Sequence, residues 1–195
     1  MITNIENLNL QLNYSYADYL SWQFEQFVEL LRGKIYPMSA PSRIHQRISL
    51  KLATRLSTYV EQKACGCEIY SAPFDVRLVK NPEGKTDKDI YTVVQPDLCL
   101  ICDLSKLDDR GCFGAPDLII EIISENNAKR DLQDKYELYE ENGVREYWIV
   151  RPSEKTVQQF FLENDKYVYK KAYSADDVIA PIVMPELSIT LSEVF

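Results

Sequence analysis

Two carboxylates in this chain lie where a carboxylate is costly. In the run Pro116-Asp117-Leu118-Ile119-Ile120-Glu121-Ile122-Ile123, apolar residues occupy both alternating faces, which reads as a strand covered on both sides. Glu121 therefore points into an interior, where an unpaired ionised carboxylate loses its hydration or takes up a proton. A metal ion or a nearby lysine removes that penalty. The preceding strand, VVQPDLCLIC, repeats the pattern: Asp97 follows Pro96 and precedes four apolar positions, at the strand's entry to the core. If the two strands are neighbours, Asp97 and Glu121 come within bridging reach of one cation. Either carboxylate alone could equally cap a turn or pair with an arginine; the pair points to a site.

A cation of the chain's own comes from the next helix. Leu132, Tyr136 and Tyr139 sit at helical spacing, and Lys135 lies on the border of that stripe. Its stem can run along the sheet and set the ammonium beside the carboxylates. Asp131, four residues earlier, offers the competing reading of a surface ion pair.

These residues need elements to hold them. The spacing predicts a first helix over Tyr14–Gln26, two short strands around Arg32-Gly33, and a long helix opening at Pro41-Ser42 and ending near Cys65-Gly66. The segment CEIYSAPFDVRLV reads as a strand with Pro73 at an irregularity, and Asn81–Asp89 as a charged loop. The two carboxylate strands follow, joined by a polar linker over Asp103–Ala115. A helix over about Asn127–Glu141 stops at Asn142-Gly143. Next come the strand REYWIVRP, a hairpin of TVQQFFL and KYVYKKA turning at Glu163-Asn164-Asp165, and a short edge element in PELSITLSEVF. The order predicts an α/β or α+β architecture, a mixed central sheet flanked by helices, in one domain over residues 1–195. Its core spans about 28–152, followed by the hairpin and tail at 153–195.

With 195 residues, 46% hydrophobic, the chain can bury a full core without metal or disulfide staples. No apolar run is long enough to span a bilayer, and the N-terminus lacks a basic start followed by an apolar stretch. A cytoplasmic protein without membrane contacts is expected. The net charge of −8 argues against a broad basic coat for nucleic acid. It does not exclude an enzyme that cuts nucleic acid, since clustered catalytic carboxylates contribute to it and bound cations offset it locally. Five cysteines, an odd number, read as reduced thiols. The Cys99-x-x-Cys102 spacing invites a zinc reading, but alternation sends the two to opposite faces, and buried small hydrophobes are the simpler account.

The strands VVQPDL and PDLIIEIIS, followed by KRDLQDKYELYEENGVREYWIVRP, resemble the PD-(D/E)XK nuclease superfamily. More closely, the chain is similar to the stand-alone, Uma-type putative restriction endonucleases of that superfamily. The likeness covers most of the chain, from VELLRGKIYPMSAPSRIHQRISLKL to PELSITLSEVF. It implies a restriction-endonuclease-like fold and Mg²⁺-dependent hydrolysis of DNA, with Mn²⁺ able to substitute. Asp97 matches the acid of the second core strand and Glu121 that of the third, with the main-chain carbonyl of Ile122 as a further metal ligand. The usual lysine position holds Ile123, a departure from the superfamily; the Uma-type pattern moves the lysine to the following helix, where Lys135 stands. Glu29 resembles an early acidic position, and His45 a histidine opening the long helix. Asp117, on the same strand face as Glu121, is the second choice for the acidic position. Arg130 and Asp131 could support the site, and Tyr139, Gly143, Tyr147 and Trp148 read as packing and helix stop. The alternative is a catalytically inactive protein of the same fold that binds DNA or a protein partner. Val157, Phe160, Phe161, Tyr167 and Tyr169 in the hairpin suggest a homodimer that buries part of it or the segment through Phe195. The other possibility is that these aromatics pack on the chain's own core.

Overall fold

The structure, a computed structural model, describes residues 2–123 and 128–195, and the side chains of residues 2–123 and 133–195. In chain order the elements are α1 (Tyr16–Tyr19), β1 (Val28–Leu31), β2 (Lys34–Pro37), α2 (Arg43–Lys63), β3 (Glu68–Ser71) and β4 (Val76–Arg77). They continue with β5 (Val93–Val94), β6 (Leu98–Ile101), β7 (Leu107–Asp108), β8 (Gly111–Phe113), β9 (Leu118–Ile122) and α3 (Ala128–Asn142). The last are β10 (Glu146–Arg151), β11 (Thr156–Glu163), β12 (Lys166–Ser174), β13 (Val178–Ile179) and β14 (Ile189–Thr190).

The strands build two mixed six-stranded sheets, ordered β12-β11-β10-β9-β6-β3 and β2-β1-β5-β4-β8-β7, and a small β13-β14 pair. In the first sheet β9 runs parallel to β10, with α3 as the crossover, and antiparallel to β6. One face of this sheet, through Leu98, Leu100, Leu118, Ile120, Ile122, Trp148 and Val150, packs on Ile48, Leu52 and Leu56 of α2. The other face, through Cys99, Ile101, Ile119, Tyr147 and Ile149, packs on Leu138 and Tyr139 of α3 and on Leu31, Val76 and Val94 of the second sheet. Each such fully buried side chain contributes about 1.5–3 kcal/mol relative to exposure. The mixed α+β sandwich is thus the expected one, with a second sheet added to it. Among the described residues no helix is long and apolar enough to cross a membrane.

Local signals set most element ends. Ser42 caps α2 by accepting the His45 N–H, and Ala64 ends it in the left-handed region. Gly143, at φ 83°, stops α3. Asn164 and Asp165, both at positive φ, turn the β11-β12 hairpin.

Four expectations need correction. The first helix is one turn, not thirteen residues: Ser15 and Asp18 form a capping box, but Leu20 and Phe27 are exposed, so the spaced apolar positions bury no continuous stripe. The segments around Pro73 and Pro96 are not single strands. Each crosses from one sheet to the other, β3 to β4 and β5 to β6, because proline offers no N–H to continue a ladder. The stretch 103–115 is not merely linker; it carries the hairpin β7-β8, which extends the second sheet. Finally, Cys67 and Cys102 form a disulfide rather than free thiols. The β3-β6 register pairs Glu68 with Ile101, which sets the flanking cysteines opposite one another. Cys99 and Cys112 stay as buried thiols; desolvation raises both, Cys112 to about 12.

The hairpin aromatics largely pack on their own core. Val157 and Tyr167 are buried, and Phe160 and Tyr167 meet Tyr136 edge-on. Val168 and Tyr169 of the edge strand β12 remain exposed.

Candidate active site

The site forms where the chain crosses between the sheets. Glu121 is the fourth residue of β9, and alternation turns it away from α2 toward α3 and the second sheet, at 5% exposure. Among the described side chains of α3, those buried on this side are Lys135, Leu138 and Tyr139. Lys135 is therefore central to the buried face rather than at its border, and Tyr136 is only half-buried; Leu132 lies outside the described side chains. The Lys135 ammonium is 2.9 Å from Glu121 Oε1 and 3.0 Å from Glu29 Oε1. The Tyr139 hydroxyl donates to the same Glu121 oxygen at 2.5 Å.

Glu29 reaches this point from β1, which pairs with β5 at Leu30 and Val93. It is 2% exposed and accepts the backbone N–H of Gln95 at 2.9 Å. Two buried carboxylates thus meet on one buried ammonium in a region of low dielectric, where charges interact strongly. The same field acts on Tyr139: burial first, then the carboxylates of Glu121 and Glu29, push its hydroxyl well above the usual tyrosine range. It remains a hydrogen-bond donor throughout the working pH range.

Asp97 stands beside this cluster. The Ile122 N–H donates to Asp97 Oδ2 at 2.6 Å, and His45 Nε2 lies 3.0 Å from Oδ1. The β6-β9 register pairs Leu98 with Ile120, and one further step along it sets Asp97 opposite Glu121. The Asp97 side chain is 17% exposed, so it faces solvent more than the three groups behind it. His45 enters from the first turn of α2, and its Nδ1 is buried without a hydrogen-bond partner among the described residues.

Three groups at the crossing carry no signature that sequence reasoning used. Gln95 donates from its side-chain amide to Asp75 Oδ1 at 2.8 Å and to the Tyr19 hydroxyl at 3.3 Å. Tyr19 donates to Asp75 Oδ1 at 3.2 Å. Burial raises Asp75 above its ordinary range, against the lowering effect of the Gln95 and Tyr19 hydrogen bonds. The adjacency of Gln95 to Pro96-Asp97 was a usable signal. Asp75 and Tyr19 had none, since the fold alone brings positions 19, 75 and 95 together.

The weaker sequence candidates divide. Glu29 and His45 join the constellation. Asp117 does not: it sits just before β9, four residues or about 13 Å from Glu121. There it accepts the Cys102 N–H and an Arg145 guanidinium, each at 2.8 Å, so it takes the arginine-paired role. Arg130 and Asp131 lie outside the described side chains. Among the described residues, no three histidine, cysteine, aspartate or glutamate side chains converge into a cage for a metal.

The geometry can be set beside known proteins. A crystal structure of "a putative nuclease belonging to DUF820" from Anabaena variabilis superposes with a TM-score of 0.69 at 16% identity, covering 93% of this chain and 97% of that one. That likeness establishes the shared fold. An uncharacterized protein of Synechocystis sp., slr1290, is 25% identical over 150 residues, 76% of this chain and 73% of that protein. The sequence model of the Uma2 family, described as putative restriction endonuclease, matches residues 16–192. That span contains Glu29, His45, Asp97, Glu121 and Lys135 together, and the chain is a member of the Uma2 family.

Proposed function

We propose that the protein is a Mg²⁺-dependent endonuclease that hydrolyses phosphodiester bonds in DNA. The observation that carries this reading is the meeting of two buried carboxylates, Glu29 and Glu121, on the Lys135 ammonium, with Asp97 alongside. A fold hosts many activities, and it is the site rather than family likeness alone that supports this one.

The donor set fits a hard cation. Asp97, Glu121 and the main-chain carbonyl of Ile122 would hold Mg²⁺, with Mn²⁺ able to replace it. Mg²⁺ commonly takes only one or two carboxylates and completes its shell with water and substrate phosphate, so a full protein cage is not required. When bound, the cation would polarise the scissile phosphate and lower the pKa of a bound water. Lys135 would orient the attacking water and stabilise charge that develops on the phosphate oxygens. Tyr139 fixes the rotamer of Glu121, and His45 that of Asp97, so both carboxylates are held before substrate arrives. Glu29 shares the ammonium and holds Lys135 in place. A homodimer, in which two such sites face one duplex, is the assembly proposed for cutting both strands. The exposed edge of β12 at Val168 and Tyr169 is its candidate contact.

The test is cleavage of supercoiled and linear DNA with Mg²⁺ or Mn²⁺, comparing the parent with Glu121→Gln. The amide oxygen still accepts from Lys135 and Tyr139, so the fold is kept. Loss of a supporting group around a metal typically costs about 10–100-fold, and loss of a ligand should exceed that. A variant that cuts as well as the parent removes Glu121 from the site. A parent that binds DNA but never cuts it makes the protein an inactive relative.

A further inference from the structure

Helix α2 carries a basic ridge that the site does not use. Arg43, Arg47, Lys51 and Arg55 recur every four residues, and each step of four advances about 6 Å along a helix. Within Arg43–Lys63 five basic residues face one acidic residue, Glu61, although the chain as a whole carries 30 acidic and 22 basic residues. Basic charge has been gathered on one element of an acidic protein. Arg43, Arg47 and Arg55 are exposed and Lys51 is half-buried.

The ridge starts in the helix turn that also reaches the candidate site. His45, in the first turn of the same helix, is the residue that touches Asp97. Two of the four cations have partners in the C-terminal segment: Arg47 donates to the Phe195 carbonyl oxygen, and Arg55 pairs with Glu193. Those contacts account for Arg47 and Arg55 as fasteners of the tail. They leave Arg43 and Lys51 unexplained, for neither has an ion-pair partner among the described residues.

We propose that this face of α2 receives the phosphate backbone of duplex DNA and leads the scissile strand to the Asp97 end of the site. This inference rests on the nuclease reading and deepens it. The ridge spans about 18 Å from Arg43 to Arg55, which faces roughly five phosphates of one strand at about 3.4 Å of duplex axis each. Phosphate contacts of this kind position a duplex without reading its sequence.

The salt dependence of DNA binding tests the proposal. Fluorescence anisotropy of a labelled duplex is measured on the full chain, with Ca²⁺ replacing Mg²⁺ to suppress cutting. Arg43→Gln/Lys51→Gln removes no contact described in the fold and should flatten the log K against log salt slope by about 2. The control is Lys170→Gln/Lys171→Gln on the far edge strand β12, with an unchanged slope. An Arg43→Gln/Lys51→Gln slope equal to the parent's overturns the proposal, and so does an equal drop in the control. Binding to anionic phosphatidylserine vesicles but not to duplex would assign the ridge to a membrane surface and overturn it too. If Glu121-dependent cleavage persists while the slope is unmoved, the ridge proposal alone falls. If no DNA binds or is cut under any condition, the nuclease reading falls with it.

Discussion

Replacing Lys135 by methionine keeps most of the stem's volume and deletes the ammonium between Glu29 and Glu121. Both glutamates are buried, at 2% and 5% exposure, so neither can recover its hydration without opening the core. Glu121 keeps the Tyr139 hydroxyl at 2.5 Å and Glu29 the Gln95 N–H at 2.9 Å, neither of which carries a positive charge. Removing one partner of a buried ion pair costs about 3–5 kcal/mol, and here two carboxylates lose the same cation. For a chain of this size, 1 kcal/mol moves Tm by roughly 2–4 °C, so Lys135→Met should melt about 6–20 °C below the parent when metal is chelated. The assay is thermal and urea denaturation in EDTA, followed by tryptophan fluorescence, which the buried Trp148 reports. The specific claim is coupling: in a background of Glu29→Gln/Glu121→Gln, the same lysine replacement should cost at least about 2 kcal/mol less. A divalent cation should also stabilise Lys135→Met, by about 2.7 kcal/mol at a hundredfold excess over Kd. A cost under about 1 kcal/mol, the usual size for an exposed pair, would refute a buried shared ammonium. An equal cost in both backgrounds would refute the coupling.

The other predictions concern the crossing and the assembly. Asp75 has a folded-state pKa raised by burial above its unfolded value, so its charge opposes folding once pH rises through the raised value. Asp75→Asn should therefore raise Tm at pH 7, with the gain shrinking on acidification and gone below about pH 4, where the unfolded carboxyl is also protonated. A constant difference across that range would show that the titration is not responsible. Light scattering at micromolar concentration should give about twice the chain mass of 22.6 kDa; the monomer value would rule out the homodimer.

The elements with local causes were legible in the sequence. The apolar runs of β6, β9 and β10 marked strands covered on both faces, Ser42 and Gly143 marked helix ends, and Asn164-Asp165 marked the hairpin. Asp97 and Glu121 stood out for a related reason, because a charge set in an apolar pattern conflicts with its neighbours, whereas Lys135 read only as a border residue of its helix and its role came from the family resemblance. Three more features depended on distance along the chain. Glu29 meets Lys135 across 106 positions, Asp75 meets Tyr19 across 56, and Cys67 meets Cys102 across 35. Nothing in their flanking residues announces these meetings. They follow from strand register and from the two proline-marked crossings between sheets, which decide the non-local contacts. Periodicity and capping are short-range energies that the sequence states directly. Which buried charge faces which is settled only when the sheets pack, because the cost of an unpaired charge depends on the groups packed around it.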